Sequence, residues 1–223
     1  WPFTRITAML LAMPIFGGSN VPVRVRVLLG FTLALFVSPL LPPPPNIDPI
    51  SAAGMLIIAQ QILIGAAMGF ILQMTLSSLA QAGESIALSM GLGFAAMVDP
   101  NTGQQTPVIS QLLVTIGILL FLSLGGHLVA IEILLDSFRT LPIGEFGVER
   151  EDLWRLVSWG VRMYAGALLI ALPVVGGLLL VNMSFGVVTR FAPQLNIFAV
   201  GFPITMLLGL MILAFSLPSL GPK

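Results

Sequence analysis

The residues that could do chemistry in this sequence are few, and their spacing does not suit it. His127 is the single histidine, and its nearest acid, Glu132, follows at i+5, roughly 140° around a helix. A zinc hydrolase needs two histidines four apart with a glutamate after the first, so this pair cannot form such a site. The chain has no cysteine, which removes thiolate ligands, disulfides and thiol nucleophiles. Gly91-Leu92-Gly93 supplies two glycines of a dinucleotide loop, but no third comes at the right spacing and no strand-forming run precedes it. Glu149, Glu151 and Asp152 alternate with Arg150, the pattern of a solvated helix start. No nucleophile–base pair, phosphate loop or metal set emerges, so the sequence reads as a non-enzyme with no cofactor and no metal.

The remaining polar groups are informative because of what surrounds them. Of 223 residues, 57% are hydrophobic and 8% charged, and the mean hydropathy is +1.05. Soluble domains carry about 25% charged residues, so nine basic and nine acidic side chains cannot cover a water-facing surface. The zero net charge removes the basic footprint that nucleic-acid binding requires. Charge-free runs span 6–23, 27–47, 49–83, 100–131, 163–189 and 191–222. All but the first exceed the ~20 residues that a helix needs to cross a bilayer. None shows the alternation of a membrane barrel strand. Glu84, Glu132, Arg162 and Arg190 lie beside or within these runs, where an unpaired charge is costly. Each is therefore expected to be paired, hydrogen-bonded or open to an aqueous path, with Arg190 paired to another subunit.

The elements that must position these groups are helices. The pattern predicts segments at 3–17, 26–41, 50–90, 108–139, 152–190 and 194–217. A polyproline turn at 42–45 separates the second and third. The stretch 139–155 holds seven of the 18 charges and is the most hydrophilic part of the chain. Kinks are expected at Pro39, Pro173, Gly176 and Gly177, and Gly65, Ala66 and Gly69 permit close helix approach. With six crossings, Arg24, Arg26 and Arg190 fall on one side and Arg5, Arg139, Arg150, Arg155 and Lys223 on the other, a division too even to orient the chain. The fold class is all-α: a membrane-associated bundle of about six long, kinked hydrophobic helices arranged as hairpins. Its broken helices and even charge suit a helical hetero-oligomer in which other subunits bury much of the surface.

Three stretches go beyond composition. They are Arg5 with Pro14-Ile15-Phe16-Gly17 and Val21-Pro22, then Gln81 to Pro107, and above all Asn182 to Pro203, NMSFGVVTRFAPQLNIFAVGFP. Together they resemble the FliR family of flagellar type III export proteins, which is similar to the SctT proteins of injectisomes. The resemblance implies an export-gate subunit at the flagellar basal body in the bacterial inner membrane. Its partners would be FliP-like and FliQ-like gate subunits, FlhB-like and FlhA-like export proteins, and unfolded flagellar substrates in transit. It also implies a FliP-like part at 1–139 and a FliQ-like hairpin at 140–223. The chain opens on Trp1 and the family pattern continues past Lys223, so the full protein is expected to extend beyond both ends.

The resemblance further places a pore plug at 91–107, with Gly91, Gly93, Phe94, Met97, Asp99 and Pro100 as its defining residues. The residues themselves agree: glycines, an Asp-Pro-Asn turn and two bulky apolar side chains make a pliant stopper. On the residues alone the same stretch also reads as an ordinary helix connection. A small-solute secondary transporter or channel subunit is the competing function. An intramembrane hydrolase would need a motif that the chain does not have.

Overall fold

The computed structural model describes all residues except 19, 20, 42, 44, 93–107, 145–149, 192–196 and 217–223. Among the described residues it is 87% helical and has no strand, which settles the all-α class. The helices are α1 (Pro2–Ala12), α2 (Pro14–Gly17), α3 (Val23–Val37, continued by a 3-10 turn at Ser38–Leu40), α4 (Ala52–Ser89), α5 (Val108–Ser123), α6 (Gly126–Thr140), α7 (Arg150–Phe191) and α8 (Ile197–Ser216).

Local chemistry explains most boundaries. Pro14 disfavours helical backbone at the residue before it, and Met13 is extended at φ −75°, ψ 130°. The expected segment 3–17 is therefore two helices. Arg24 and Arg26 lie in the first turns of α3 rather than before it, and Arg26 Nη2 donates to the Gly18 carbonyl. Pro39 sits in the 3-10 turn that ends this helix. At the start of α4, Asp48 Oδ1 accepts the Ile50 N–H (3.0 Å) and Ser51 Oγ accepts the Gly54 N–H (3.1 Å), so Ser51 acts as the cap. The helix predicted at 108–139 is instead α5 and α6, bent by 68° at the break. Gly125 makes that turn at φ +74°, and a Cβ on Gly126 would lie 2.5 Å from the Phe121 ring. Pro173, Gly176 and Gly177 lie inside α7, which runs through them without a break.

The chain forms two compact units that do not follow chain order: 1–76 with 118–161, and 77–117 with 162–223. In the first unit, α1 buries Ile6, Met9, Leu10 and the adjoining Met13 against Val37 of α3 and Ala130, Leu134 and Phe138 of α6. The 6, 9, 10, 13 spacing is one helical face. Gly65 and Gly69 let α4 meet the α1 backbone; a Cβ on Gly69 would stand 2.6 Å from the Met9 carbonyl oxygen. In the second unit, Ala82, Ile86, Ala87 and Met90 of α4 pack with Ile109 and Leu113 of α5, Ala167, Ala171, Val174 and Leu178 of α7, and Leu213 of α8.

Among the described residues three helices are long and apolar enough to cross a membrane: α3 with its 3-10 turn, α4 and α7. The bent α5–α6 pair would make a fourth span. Leu169, Leu180 and Phe191 on α7, and Leu28, Leu35 and Phe36 on α3, are among many large apolar side chains left exposed. This is a membrane helical bundle.

Candidate functional site

The polar centre of the first unit is Arg5. Its side chain is wholly buried (0% exposed), on the same face of α1 as Met9 four residues later. Nε donates to Gln61 Oε1 at 2.7 Å. Nη1 donates to the Ser137 carbonyl at 2.8 Å and to Ser137 Oγ at 3.2 Å, and Nη2 donates to the Leu141 carbonyl at 2.8 Å. The guanidinium carbon lies 4.3 Å from the centre of the Phe138 ring.

No carboxylate is among these partners. The compensating charge is the C-terminal end of α6, whose last carbonyls carry the negative pole of the helix, with the Phe138 π-face beside it. Burial lowers the Arg5 pKa to about 10, which leaves it a cation at neutral pH. One residue of α1 thus ties together α4, through Gln61, and the end of α6. The fork geometry explains why the position holds arginine: a single ammonium could not reach all these acceptors at once.

The second feature is the end of α4. Gly91 has φ +82°; its N–H reaches the Leu88 carbonyl and the Leu92 N–H the Ala87 carbonyl, both at 3.0 Å. This pair of bonds around a left-handed glycine is a Schellman stop, and Leu92 packs against the core of the second unit. A cleft of about 410 Å³ opens here, lined by Leu88, Ser89, Met90, Gly91, Asn182, Phe185, Gly186, Gly201, Phe202 and Thr205. Of the residues expected to form the plug, Gly91 is therefore the helix stop. Gly93, Phe94, Met97, Asp99 and Pro100 lie outside the described residues.

Glu84, Glu132, Arg162 and Arg190 are all exposed on this chain, and Arg162 has an interaction within it. The structure does not gather the four into one site: Glu132 belongs to the first unit and the other three to the second. His127 is half-buried, and its Nδ1 has no hydrogen-bond partner among the described residues. No group of three or more His, Asp or Glu that could hold a metal occurs among them.

In the sequence Arg5 stands out only as a motif residue and as one of nine basic side chains. Its place on the buried stripe of α1 was the signal that could have identified it as an interior group.

The chain is 41% identical over 223 residues to a flagellar biosynthetic protein FliR of Pectobacterium carotovorum subsp. carotovorum, covering all of this chain and 85% of that protein. It is 36% identical over 222 residues to the FliR of Escherichia coli K12, with 100% and 85% covered. To the FliR of Bacillus subtilis 168 it is 33% identical over 206 residues, with 91% and 79% covered. The profile of the family described as bacterial export proteins, family 1, matches residues 1–223. An all-helical membrane chain matched from its first residue to its last, it belongs to bacterial export protein family 1.

Proposed function

We propose that the chain is a structural and gating subunit of the bacterial flagellar type III export channel, passing unfolded flagellar substrates across the inner membrane at the basal body. Family membership and the FliR relatives support the flagellar export assignment. One observation supports a subunit rather than a self-sufficient protein. With 42 and 38 residues, α7 and α4 are about 63 and 57 Å long. Both carry exposed apolar side chains near their ends: Trp154 and Phe191 on α7, Met55 and Leu88 on α4. A hydrocarbon core of ~30 Å could cover a 63 Å helix only at a tilt of about 60°, beyond the ~0–40° that membrane helices adopt. Water can cover the charged start of α7, and the exposed apolar side chains near the helix ends favour cover by other protein.

In this reading FliP-like and FliQ-like subunits, with FlhB-like and FlhA-like proteins, supply that cover. Residues 1–139 play the FliP-like part and 140–223 the FliQ-like hairpin. Glu84, Glu132 and Arg190 meet partner groups or water in the assembly. The segment that leaves α4 at Gly91 plugs the pore, with Phe94 and Met97 toward its axis, where packed apolar side chains exclude water and ions.

Co-purification in mild detergent tests the assignment. Recovery with the partner subunits is expected, whereas a stable monomer or symmetric dimer on its own would favour the transporter reading, to which the bent α5–α6 pair is otherwise open. Within the assembled complex, replacing Phe94 and Met97 together by alanine should raise ion conductance. Unchanged conductance would return 91–107 to a plain connector.

A further inference from the structure

The exposed helix faces of the second unit are not alike, and one of them is polar. There α4 and α5 cross at Gly83 and Ser110. A Cβ on Gly83 would lie 2.5 Å from Ser110 Cα, and Ser110 Oγ donates to the Ala80 carbonyl at 2.7 Å. On one flank of the crossing, Ala82 and Ile86 of α4 and Ile109 and Leu113 of α5 pack with α7 and α8. A helix turns by about 100° per residue, which puts Ser77, Gln81 and Glu84 on the opposite flank of α4. The same count puts Gln111 and Thr115 on the opposite flank of α5. Glu84, Gln111 and Thr115 are exposed, and Ser77 and Gln81 are half-buried. Exposed Leu88, Val108 and Leu112 border this polar patch.

The patch offers two carboxamides, two hydroxyls and one carboxylate. Thr115 Oγ1 donates to the Gln111 carbonyl of its own helix at 2.7 Å. The side chains of Gln81, Glu84 and Gln111 have no hydrogen bond or ion pair among the described residues. Polar groups on the helices of a membrane protein face protein or a water-filled path. The exposed face of α7, with Leu168, Leu172 and Leu179, has no such groups. What unrelated extended polypeptides share is the peptide group. A carboxamide both donates and accepts, so it can exchange bonds with any peptide group in competition with water and release it again. An apolar wall would instead hold the apolar stretches of a passing chain. The same two helices are joined by the segment proposed above as the plug, so the path that segment closes runs along them.

We propose that the polar flank of the α4–α5 pair is a wall of the polypeptide path. The unfolded chain in transit slides along Gln81, Glu84, Gln111 and Thr115, and the two glutamine amides exchange hydrogen bonds with its backbone. Leu88 and Val108 stand at the end of this wall where the plug segment leaves and returns. The inference rests on the export-channel reading and adds to it the surface that the substrate meets.

The absence of cysteine makes the test direct. Gln81→Cys, Glu84→Cys, Gln111→Cys and Thr115→Cys are introduced one at a time in the full-length protein, with Leu172→Cys on the exposed face of α7 as the control. The cells express an export substrate with one cysteine in an unfolded stretch, followed by a fused domain too stable to unfold, so that the chain stalls in transit. After mild oxidation the complex is purified, and the disulfide-linked product is measured on non-reducing gels. The expected result is linkage at the four flank positions several-fold above that at Leu172→Cys, and a fall in linkage when the fused domain is omitted. If the stalled substrate co-purifies but links to the flank no more than to Leu172→Cys, the wall assignment is overturned while the export reading stands. A charged, water-soluble thiol reagent should also react at the flank positions in the substrate-free complex. No reaction at any of the four would mean that a partner subunit covers the flank, and would overturn the proposal equally. If no stalled substrate co-purifies even with the parent protein, the export reading itself fails and the wall with it. Ser77→Cys replaces any flank variant that fails to assemble.

Discussion

Both compact units bring helix backbones close through glycines, but among the described residues only the first also holds a buried cation. In that unit Arg5 reaches Gln61, Ser137 and Leu141 from the start of an apolar stripe. The second closes around small apolar residues. A Cβ on Gly83 would lie 2.5 Å from Ser110 Cα, and one on Gly209 the same distance from Met90. One polar link between helices there is a single hydroxyl bond, Ser110 Oγ to the Ala80 carbonyl at 2.7 Å. An apolar seam tolerates small slides of one helix on another, because dispersion has no direction. A guanidinium fork does not, since its bonds weaken steeply off axis. The first unit is therefore fixed in register by the fork as well as by close backbone approach, and the second by close approach alone among its described buried residues.

The largest effect should come from removing the cation. Arg5→Met leaves the Gln61 amide and the carbonyls at the end of α6 buried with fewer partners, at a cost of about 3–5 kcal/mol. Thermal unfolding of the detergent-solubilised protein would show it, and Arg5→Lys should recover less than half of the loss. If Arg5→Met melts at the parent temperature, the first unit is held by its apolar stripe, and the contrast with the second disappears.

Gly83→Val probes the other mode. The added side chain forces α4 and α5 apart, at about 1–3 kcal/mol, and the same melt should register it. A neutral result would mean that the close approach is not what fixes the second unit.

Gly91→Ala should cost about 1–2 kcal/mol, because alanine must hold the left-handed conformation of the Schellman stop. Hydrogen exchange at the last turn of α4 should then speed up without a change at Arg5's partners. Equal exchange in variant and parent would show that the stop is not needed to end the helix.

The smallest change is Ser110→Ala, which removes one hydroxyl bond while Ala80 keeps its place in α4. A loss of about 0.5–1.5 kcal/mol is expected. A loss as large as that of Arg5→Met would mean the second unit, too, depends on a polar link.

Much of the architecture was legible because it rests on local rules. Charge-free runs marked the long apolar helices, and Ser51 and Gly91 sit where a cap and a stop belong, whereas the break before Pro14 divides a segment expected to be one helix. The α5–α6 bend was harder to see, since Gly125-Gly126 lies inside a 32-residue run without charge, and a glycine in such a run is compatible with an unbroken helix. Glu84, Glu132, Arg162 and Arg190 stood out by their apolar neighbours in the chain, yet all four face outward. Neighbours in sequence occupy different faces of a helix, so a charge in an apolar run can still point away from the core.

The sequence by itself determined that this is an all-helical membrane chain, where its long apolar segments lie, and which family it resembles, but not the breaks at Met13 and at Gly125. Hydropathy, proline and glycine act within a few residues of where they stand, so those properties can be read in one dimension. Only the tertiary structure decided that Arg5 is the interior cation, that Gln61 and the end of α6 are its partners, and that each compact unit takes chain from two separated stretches. Those facts depend on contacts between residues 56 to 136 positions apart, and no local preference encodes which distant carbonyl a buried guanidinium will meet.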